Sequence, residues 1–353
     1  MSKYWEKMLI LKEPISSNSM FISQERPAFF VNNDLYDVIN SFDHNIDKKR
    51  IKKLNNIYES FFTVYNDQKM LNLTKTIENI LDLDGLIINI ERKGKIIGCV
   101  MSVFTPVKIN DFKEDLLINA SERFNSLMET ETDLMFGCCS YLVLKKKYRN
   151  KGLGMALIQE SLQVFYDNGG LGAYFINTTS RCINSIPVCT WELNLSNINI
   201  INLGVDVIKI NKNNAEIARL FHKEYMKNKV LFFNPSSEYW QKWVNVFPTY
   251  IVKSSDKIIG LFSIKTYKTQ PYRSNTIYNN CSTLICIGEQ PLILNCMIQI
   301  FKDQYDILSI KEIGDVKQKD LIKIGAQKKF RNFINFFNIT KKYYLKDFYL
   351  PLF

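Results

Sequence analysis

Two stretches of the chain gather β-branched and other apolar residues on either side of a short polar break. Residues 85–104, GLIINIERKGKIIGCVMSVF, are two such runs joined by Lys93-Gly94-Lys95. Residues 249–267, TYIVKSSDKIIGLFSIKTY, repeat the plan with Ser254-Ser255-Asp256 at the break. Each predicts a β-hairpin, because turn-forming residues between two β-rich runs let the chain fold back on itself. The tetrapeptide KIIG recurs in both, at Lys95–Gly98 and at Lys257–Gly260.

A helix-like stretch precedes each hairpin, and a strand–helix–strand pattern follows it. In the first half the pattern is FGCCSYLVLKK, NKGLGMALIQESLQVFYDNGG and LGAYFINTTS; in the second it is STLICIGE, QPLILNCMIQIFKDQ and YDILSIKEI. Recurrence of the element order predicts a duplicated α/β unit. The halves meet near Gly204-Val205, giving units 1–204 and 205–353, and a chain of 353 residues is long for one core.

The segment KKKYRNKGLGMALIQESL, Lys145–Leu162, passes from the buried-strand pattern of Tyr141–Leu144 to the helical spacing of Met155–Val164. Gly152 and Gly154 fall in the turn, where missing side chains let backbone amides approach a ligand. A helix N-terminus offers unpaired donors and the positive end of the dipole, so a pyrophosphate is its natural guest. Lys147, Arg149 and Lys151 add charge. The plainer reading is a basic loop with two ordinary turn glycines. The second half has IGEQPLIL at the corresponding place, without the basic run or the glycine pair.

The formal charge of +11 favours acidic partners: nucleotide phosphates, nucleic acid or anionic lipid. The basic runs RKGK and KKKYRNK lack the interleaved exposed aromatics of a stacking platform, so nucleic acid is not the expected partner. No apolar run is long enough for a membrane span, and the opening residues lack the apolar core and cleavage site of a secretory leader. The eight cysteines form no CxxC pair, Cys138-Cys139 reads as core, and His44 and His222 are the only histidines. A metal site is therefore not expected, and a reduced, cytoplasmic protein is.

A hairpin, a strand, a basic Gly-x-Gly turn and a helix resemble the layout of the GNAT acyltransferase superfamily. Arg149-Asn150-Lys151-Gly152-Leu153-Gly154 matches its R/Q-x-x-G-x-G/A acyl-CoA signature, which implies one acyl-CoA site, in the first half. Over nearly its full length the chain resembles the N-myristoyltransferase family. KYWEKMLILKEPI, Lys3–Ile15, resembles that family's opening segment, with Tyr4-Trp5 in place of a Phe-Trp pair and without its Thr-Gln-Pro. SYLVLKKKYRNKGLG resembles the family's NFLCVHKKLRSKRLA. Trp191 and Leu195 fall on a family Trp and Leu, and EYWQKWV and KKYYLKDF resemble two stretches of its second half.

The resemblance implies an α/β fold of two tandem GNAT-like units, mixed sheets flanked by helices. It implies transfer of a myristoyl group from myristoyl-CoA, the co-substrate, to the N-terminal glycine of a peptide or protein engaged on the second half, with no metal. Carried over by position, the backbone amides of Tyr141 and Leu142 polarise the thioester carbonyl. Val143 and Leu144 continue that contact strand, Arg149, Asn150, Lys151, Gly152, Leu153 and Gly154 hold the phosphates, and Lys3, Tyr4 and Trp5 close over the cofactor. The terminal carboxylate, here on Phe353, is the family's base; with a pKa of roughly 3.5 it needs a desolvated setting.

Departures cluster at the acceptor side. Ile176 stands where the family has a Thr beside the incoming amine. Glu192, read here on a helix, stands where the family has a His. Of the acidic run expected over 64–67 only Asp67 remains, and the tail YLPLF is shorter than the family's. Two further readings stay open: a catalytically inactive descendant acting as a binding or structural protein, and another tandem GNAT enzyme transferring an acetyl or aminoacyl group. Trp191, Trp240 and Trp243 are expected in the core, and His222 on a surface or half-buried helix position.

Overall fold

The computed structural model describes residues 28–31, 34–41, 46–61, 63–64, 68–110, 134–168, 170, 172–177, 185–198, 204–337 and 348–353. They form two compact units. One takes the described residues up to Phe104, then Met135–Phe175 and Thr269–Thr276; the other takes those of 105–134, Ile176–Lys268 and Ile277–Phe353.

The first unit opens with β1 (Ala28–Val31), β2 (Asp34–Asn40), α1 (Lys48–Phe61), β3 (Thr63–Val64), β4 (Gln68–Leu71) and α2 (Thr74–Asp82). The hairpin β5 (Leu86–Arg92) and β6 (Lys95–Ile109) follows, then β7 (Leu134–Leu144), α3 (Leu153–Asp167) and β8 (Gly172–Asn177). β1, β2, β5 and β6 pair antiparallel in that order, and β7 pairs parallel with β8 over Phe136–Cys138. The sheet is therefore mixed. Leu86, Ile88 and Ile90 alternate onto one face of β5 and pack with Leu153 and Leu157, one turn apart on α3. On α1 the buried residues Ile51, Leu54, Ile57 and Tyr58 keep helical spacing.

The second unit contains β9 (Ser185–Asn194), β10 (Asp206–Lys209), α4 (Ala215–Met226), β11 (Leu231–Phe233) and α5 (Ser237–Val246). It continues with the hairpin β12 (Thr249–Ser254) and β13 (Lys257–Pro271), β14 (Tyr278–Gly288), α6 (Gln290–Phe301), β15 (Ile307–Lys311), α7 (Gln318–Lys323), β16 (Gln327–Phe337) and β17 (Phe348–Tyr349). β14 pairs parallel with β15, while β15 and β16 flank β9 antiparallel. The Ser236 side chain caps α5 by accepting the Tyr239 amide, and the helix buries Trp240 and Trp243. Trp191 is buried too, its indole donating to Glu312.

Both hairpins carry the same defect. In β6 the register slips between Ile90 and Glu91, leaving Ile97 as an extra residue; in β13 it slips between Val252 and Lys253, leaving Ile259. The carbonyl of Ile97 accepts the amide of Lys145, just past β7, and the carbonyl of Ile259 accepts that of Glu289, just past β14. The glycine that ends each KIIG allows this approach. A methyl group on Gly98 would lie 2.3 Å from Leu144 Cδ2, and one on Gly260 would lie 2.3 Å from Ile293 Cδ1. The recurrence of four letters thus marks a recurrent bulge that ties each hairpin to the strand end beside its helix.

Candidate functional site

Between β7 and α3 the chain runs through a short 3-10 turn, Lys146–Tyr148, to Gly152. Tyr148 anchors this loop. It is buried in the first unit's core, where its ring meets Tyr36 edge-on at 6.4 Å. Lys146, Lys147, Arg149, Asn150, Lys151 and Gly152 around it are exposed. The ammonium groups of Lys147 and Lys151 both lie over that one ring, 5.0 and 5.9 Å from its centroid. Among the described residues no carboxylate forms an ion pair with Lys145, Lys146, Lys147 or Lys151. Among the described residues the cluster is positive and has no ion-paired counter-charge.

Asn150 (φ 60°) and Gly152 (φ 81°) are left-handed and turn the chain sharply into α3. The first helical bond runs from the Ala156 amide to the Gly152 carbonyl, so the amides of Leu153, Gly154 and Met155 precede any intrahelical acceptor. A side chain on Gly152 would meet nothing within 4 Å, whereas one on Gly154 would lie 3.3 Å from Leu144 Cδ1. The two glycines serve different ends. Gly152 supplies a backbone conformation beside open space, and Gly154 lets α3 pack on the end of β7.

Arg149 is the loop's internal brace. Its Nε donates to the Leu144 carbonyl and its Nη2 to the Phe61 carbonyl at the end of α1, each at 3.0 Å. Of the expected phosphate-side cations, Lys147 and Lys151 are left as outward charges, together with Lys146.

Upstream, β7 leaves the extended conformation at Tyr141, whose φ is 54°. A bulky L-residue adopts this conformation only where its surroundings impose it. The Tyr58 hydroxyl donates to the Tyr141 carbonyl at 2.6 Å, and the two rings meet edge-on. Leu142 beyond it is exposed, Val143 buried and Leu144 half-buried. Close by, Ser102 and Ser161 share a 2.6 Å hydrogen bond, with the Cys139 thiol against both hydroxyls. Burial pushes the Cys139 thiol up to about 11, so it is not a thiolate nucleophile.

Tyr141 to Leu144 and Arg149 to Gly154 thus come together in the first unit. Lys3, Tyr4, Trp5 and Asp67 lie outside the described residues. Ile176 is on β8, half-buried. Phe353 is in the second unit, its ring 5.8 Å from that of Trp243 and 5.7 Å from that of Phe247, and Lys311 donates to the preceding carbonyl of Leu352. Glu192 is on strand β9, not on a helix, opposite Ser309 and Gln327. Partial burial raises its pKa, opposed by Lys329 nearby. His222 is buried rather than surface or half-buried: it sits on α4 against Phe233 and Trp240, and burial lowers its pKa to about 3.

The second unit has a small recess beside β14, with about 20 Å³ of free space, on the scale of a single water molecule. Thr283, Cys286, Lys311 and Tyr349 bring polar groups to walls that are otherwise mainly apolar. The Tyr349 hydroxyl is fixed by Lys229 and Asp315, and Tyr225 also donates to Asp315. Among the described residues no His, Cys, Asp and Glu group is arranged to hold a metal ion, and no helix is long and apolar enough to cross a membrane. Tyr148 and Tyr58 were not singled out from the sequence. Tyr148 was visible only as an aromatic within a basic run, and nothing in the sequence pairs Tyr58 with a residue on β7.

Residues 51–186 match the model of the acetyltransferase (GNAT) family, a span that contains the loop, both glycines and the bulge. Among curated proteins none matches the chain in sequence. In structure it is similar to Saccharomyces cerevisiae N-myristoyltransferase. One crystal structure with bound myristoyl-CoA gives a TM-score of 0.69 at 11% identity, covering 94% of this chain and 83% of that one. A second with bound myristoyl-CoA gives 0.69 at 12% identity, covering 94% and 87%. One with myristoyl-CoA and inhibitors gives 0.67 at 10% identity, covering 94% and 84%. At such identities the likeness is one of fold: a mixed α/β fold with a GNAT domain, as in the tandem-GNAT N-myristoyltransferases.

Proposed function

We propose that the protein is an N-acyltransferase of the N-myristoyltransferase type, which moves a long acyl group from acyl-CoA to the N-terminal glycine of a protein. The observation that carries this reading is the turn between β7 and α3. Exposed lysines with no ion-pair partner among the described residues, a helix N-terminus and the open space beside Gly152 meet there, which is the chemistry a phosphorylated cofactor requires.

Acyl-CoA fits these residues and supplies an acyl carbonyl activated as a thioester. Lys146, Lys147 and Lys151, with the first amides of α3, are the groups that hold its phosphates. Arg149 keeps the loop in shape by bracing it to α1 and β7. The amides of Tyr141 and Leu142 are the donors for the acyl oxygen, where negative charge grows as the amine attacks. Asn150 turns the chain toward α3, while Val143, Leu144 and Leu153 pack beneath the turn and support it. The acceptor is proposed on the second unit. The described cysteines are all free thiols, and the proposal places the activity in the cytoplasm.

One observation favours a second reading, binding without transfer: Ile176 offers only hydrocarbon where the resemblance calls for a hydroxyl beside the incoming amine. Incubation with myristoyl-CoA and a glycine-terminated peptide decides between them by mass spectrometry. The transferase reading expects a myristoylated peptide and free CoA. Tight acyl-CoA binding with an unmodified peptide establishes the binding protein instead, and absence of binding removes both.

A further inference from the structure

Tyr58 is fully buried on α1, and its hydroxyl donates to the carbonyl oxygen of Tyr141 on β7 at 2.6 Å. The rings of the two residues meet edge to face, 6.4 Å apart at 89°. That carbonyl belongs to the peptide whose nitrogen is Leu142's. A trans peptide is planar, so fixing its oxygen also fixes the line along which the Leu142 N–H points. A hydrogen bond accepted by a peptide oxygen further polarises the unit and strengthens its N–H as a donor. The peptide so held follows the one left-handed residue of β7.

We propose that Tyr58 is a positioning residue for acyl transfer: its hydroxyl clamps the Tyr141–Leu142 peptide so that the Leu142 amide stands ready for the acyl oxygen. The proposal rests on the acyl-CoA reading of the adjoining turn. Burial raises the pKa of Tyr58 well above its ordinary value, so the group stays a donor throughout the working pH range. A tyrosine that only filled the core would also need a partner for its buried hydroxyl, but the choice of this carbonyl would then have no bearing on acyl transfer. Loss of its hydroxyl would then be felt in stability alone.

The test is the Tyr58→Phe variant of the full chain, with myristoyl-CoA carrying carbon-13 at the thioester carbonyl. Three quantities are read: affinity for CoA, kcat against KM for a glycine-terminated peptide, and the infrared stretch of the bound labelled carbonyl. In the native protein the stretch is expected below its value in solution, as donated hydrogen bonds require. In Tyr58→Phe it moves back toward the solution value, kcat falls about tenfold, which is less than loss of a whole oxyanion donor, and CoA affinity holds. If the Phe variant does not fold, Tyr58→Met, which also lacks the hydroxyl, takes its place. An unshifted stretch in the native complex, or the same stretch and kcat in the variant, overturns the positioning role while leaving acyl-CoA binding intact. Failure of the native protein to bind myristoyl-CoA instead overturns the reading of the site itself.

Discussion

The carbonyl of Ile97 accepts the amide of Lys145 at 2.9 Å. This single bond joins the bulge of the first hairpin to the first residue of the basic loop. Its geometry depends on Gly98, where a methyl group would press on Leu144 Cδ2 and sit 3.0 Å from the Val143 carbonyl. Gly98→Ala is expected to cost about 1–3 kcal/mol through overpacking and to weaken CoA binding, because Leu144 also abuts Gly154. Gly260→Ala makes the corresponding clash with Ile293 in the second unit and is expected to lower stability with CoA affinity unchanged. Urea unfolding and CoA titration of the two variants separate these effects.

Gly152 and Gly154 are expected to respond differently to alanine. At Gly152, with φ 81°, alanine meets no neighbour but enters the left-handed region at about 1–2 kcal/mol. Its methyl then stands beside the amides that face the cofactor, so affinity for CoA falls along with stability. At Gly154 the change is mainly a packing adjustment against Leu144, and CoA affinity is the less affected quantity. Calorimetric Kd values beside melting curves check the contrast.

Lys147 and Lys151 are exposed and carry no ion-pair partner among the described residues, so reversing either removes only its contact with the Tyr148 ring, worth about 0.5–1 kcal/mol. Lys147→Glu and Lys151→Glu are each expected to weaken CoA binding about tenfold, the scale of one charge-assisted hydrogen bond, with only a small fall in melting temperature from the lost ring contact. The native affinity should also fall as salt is raised.

Much of this region is legible in the sequence because its signals are local. The hairpin expected at Lys93-Gly94-Lys95 forms, with Lys93 and Gly94 left-handed, and the strand–turn–helix order around Gly152 follows from a change of apolar period. Glu192 misled for a local reason too. Inward alternation along β9 runs through Ile186, Val188 and Thr190, then changes phase at Trp191, Leu193 and Leu195. The change lies opposite Lys329, the extra residue of β16. Trp191 and Leu195, four apart, then imitate one helical turn. The Tyr58 contact was not legible, since residues 83 positions apart meet only through the packing of α1 on β7.

His222 gives the fold a pH dependence. Its Nε2 has no hydrogen-bond partner among the described residues, and burial against Phe233 and Trp240 lowers its pKa from 6.5 to about 3. The unfolded chain takes up this proton below pH 6.5 while the native protein does not until about pH 3. The stabilisation is therefore complete above pH 6.5 and is lost as pH falls, by about 1.4 kcal/mol per unit. His222→Phe is expected to flatten this slope, so that native and variant diverge in urea midpoint between pH 7 and pH 5 by a margin absent from a control such as Glu216→Gln.

The central claim is that the basic turn after β7 holds acyl-CoA. Calorimetric titration of the full chain with CoA, acetyl-CoA and myristoyl-CoA tests it most directly. The account expects CoA to bind, acetyl-CoA to bind similarly and myristoyl-CoA to bind far more tightly, each weakened by Lys147→Glu. An absence of binding by all three would contradict it, and the turn would then be no more than a strand-to-helix connection.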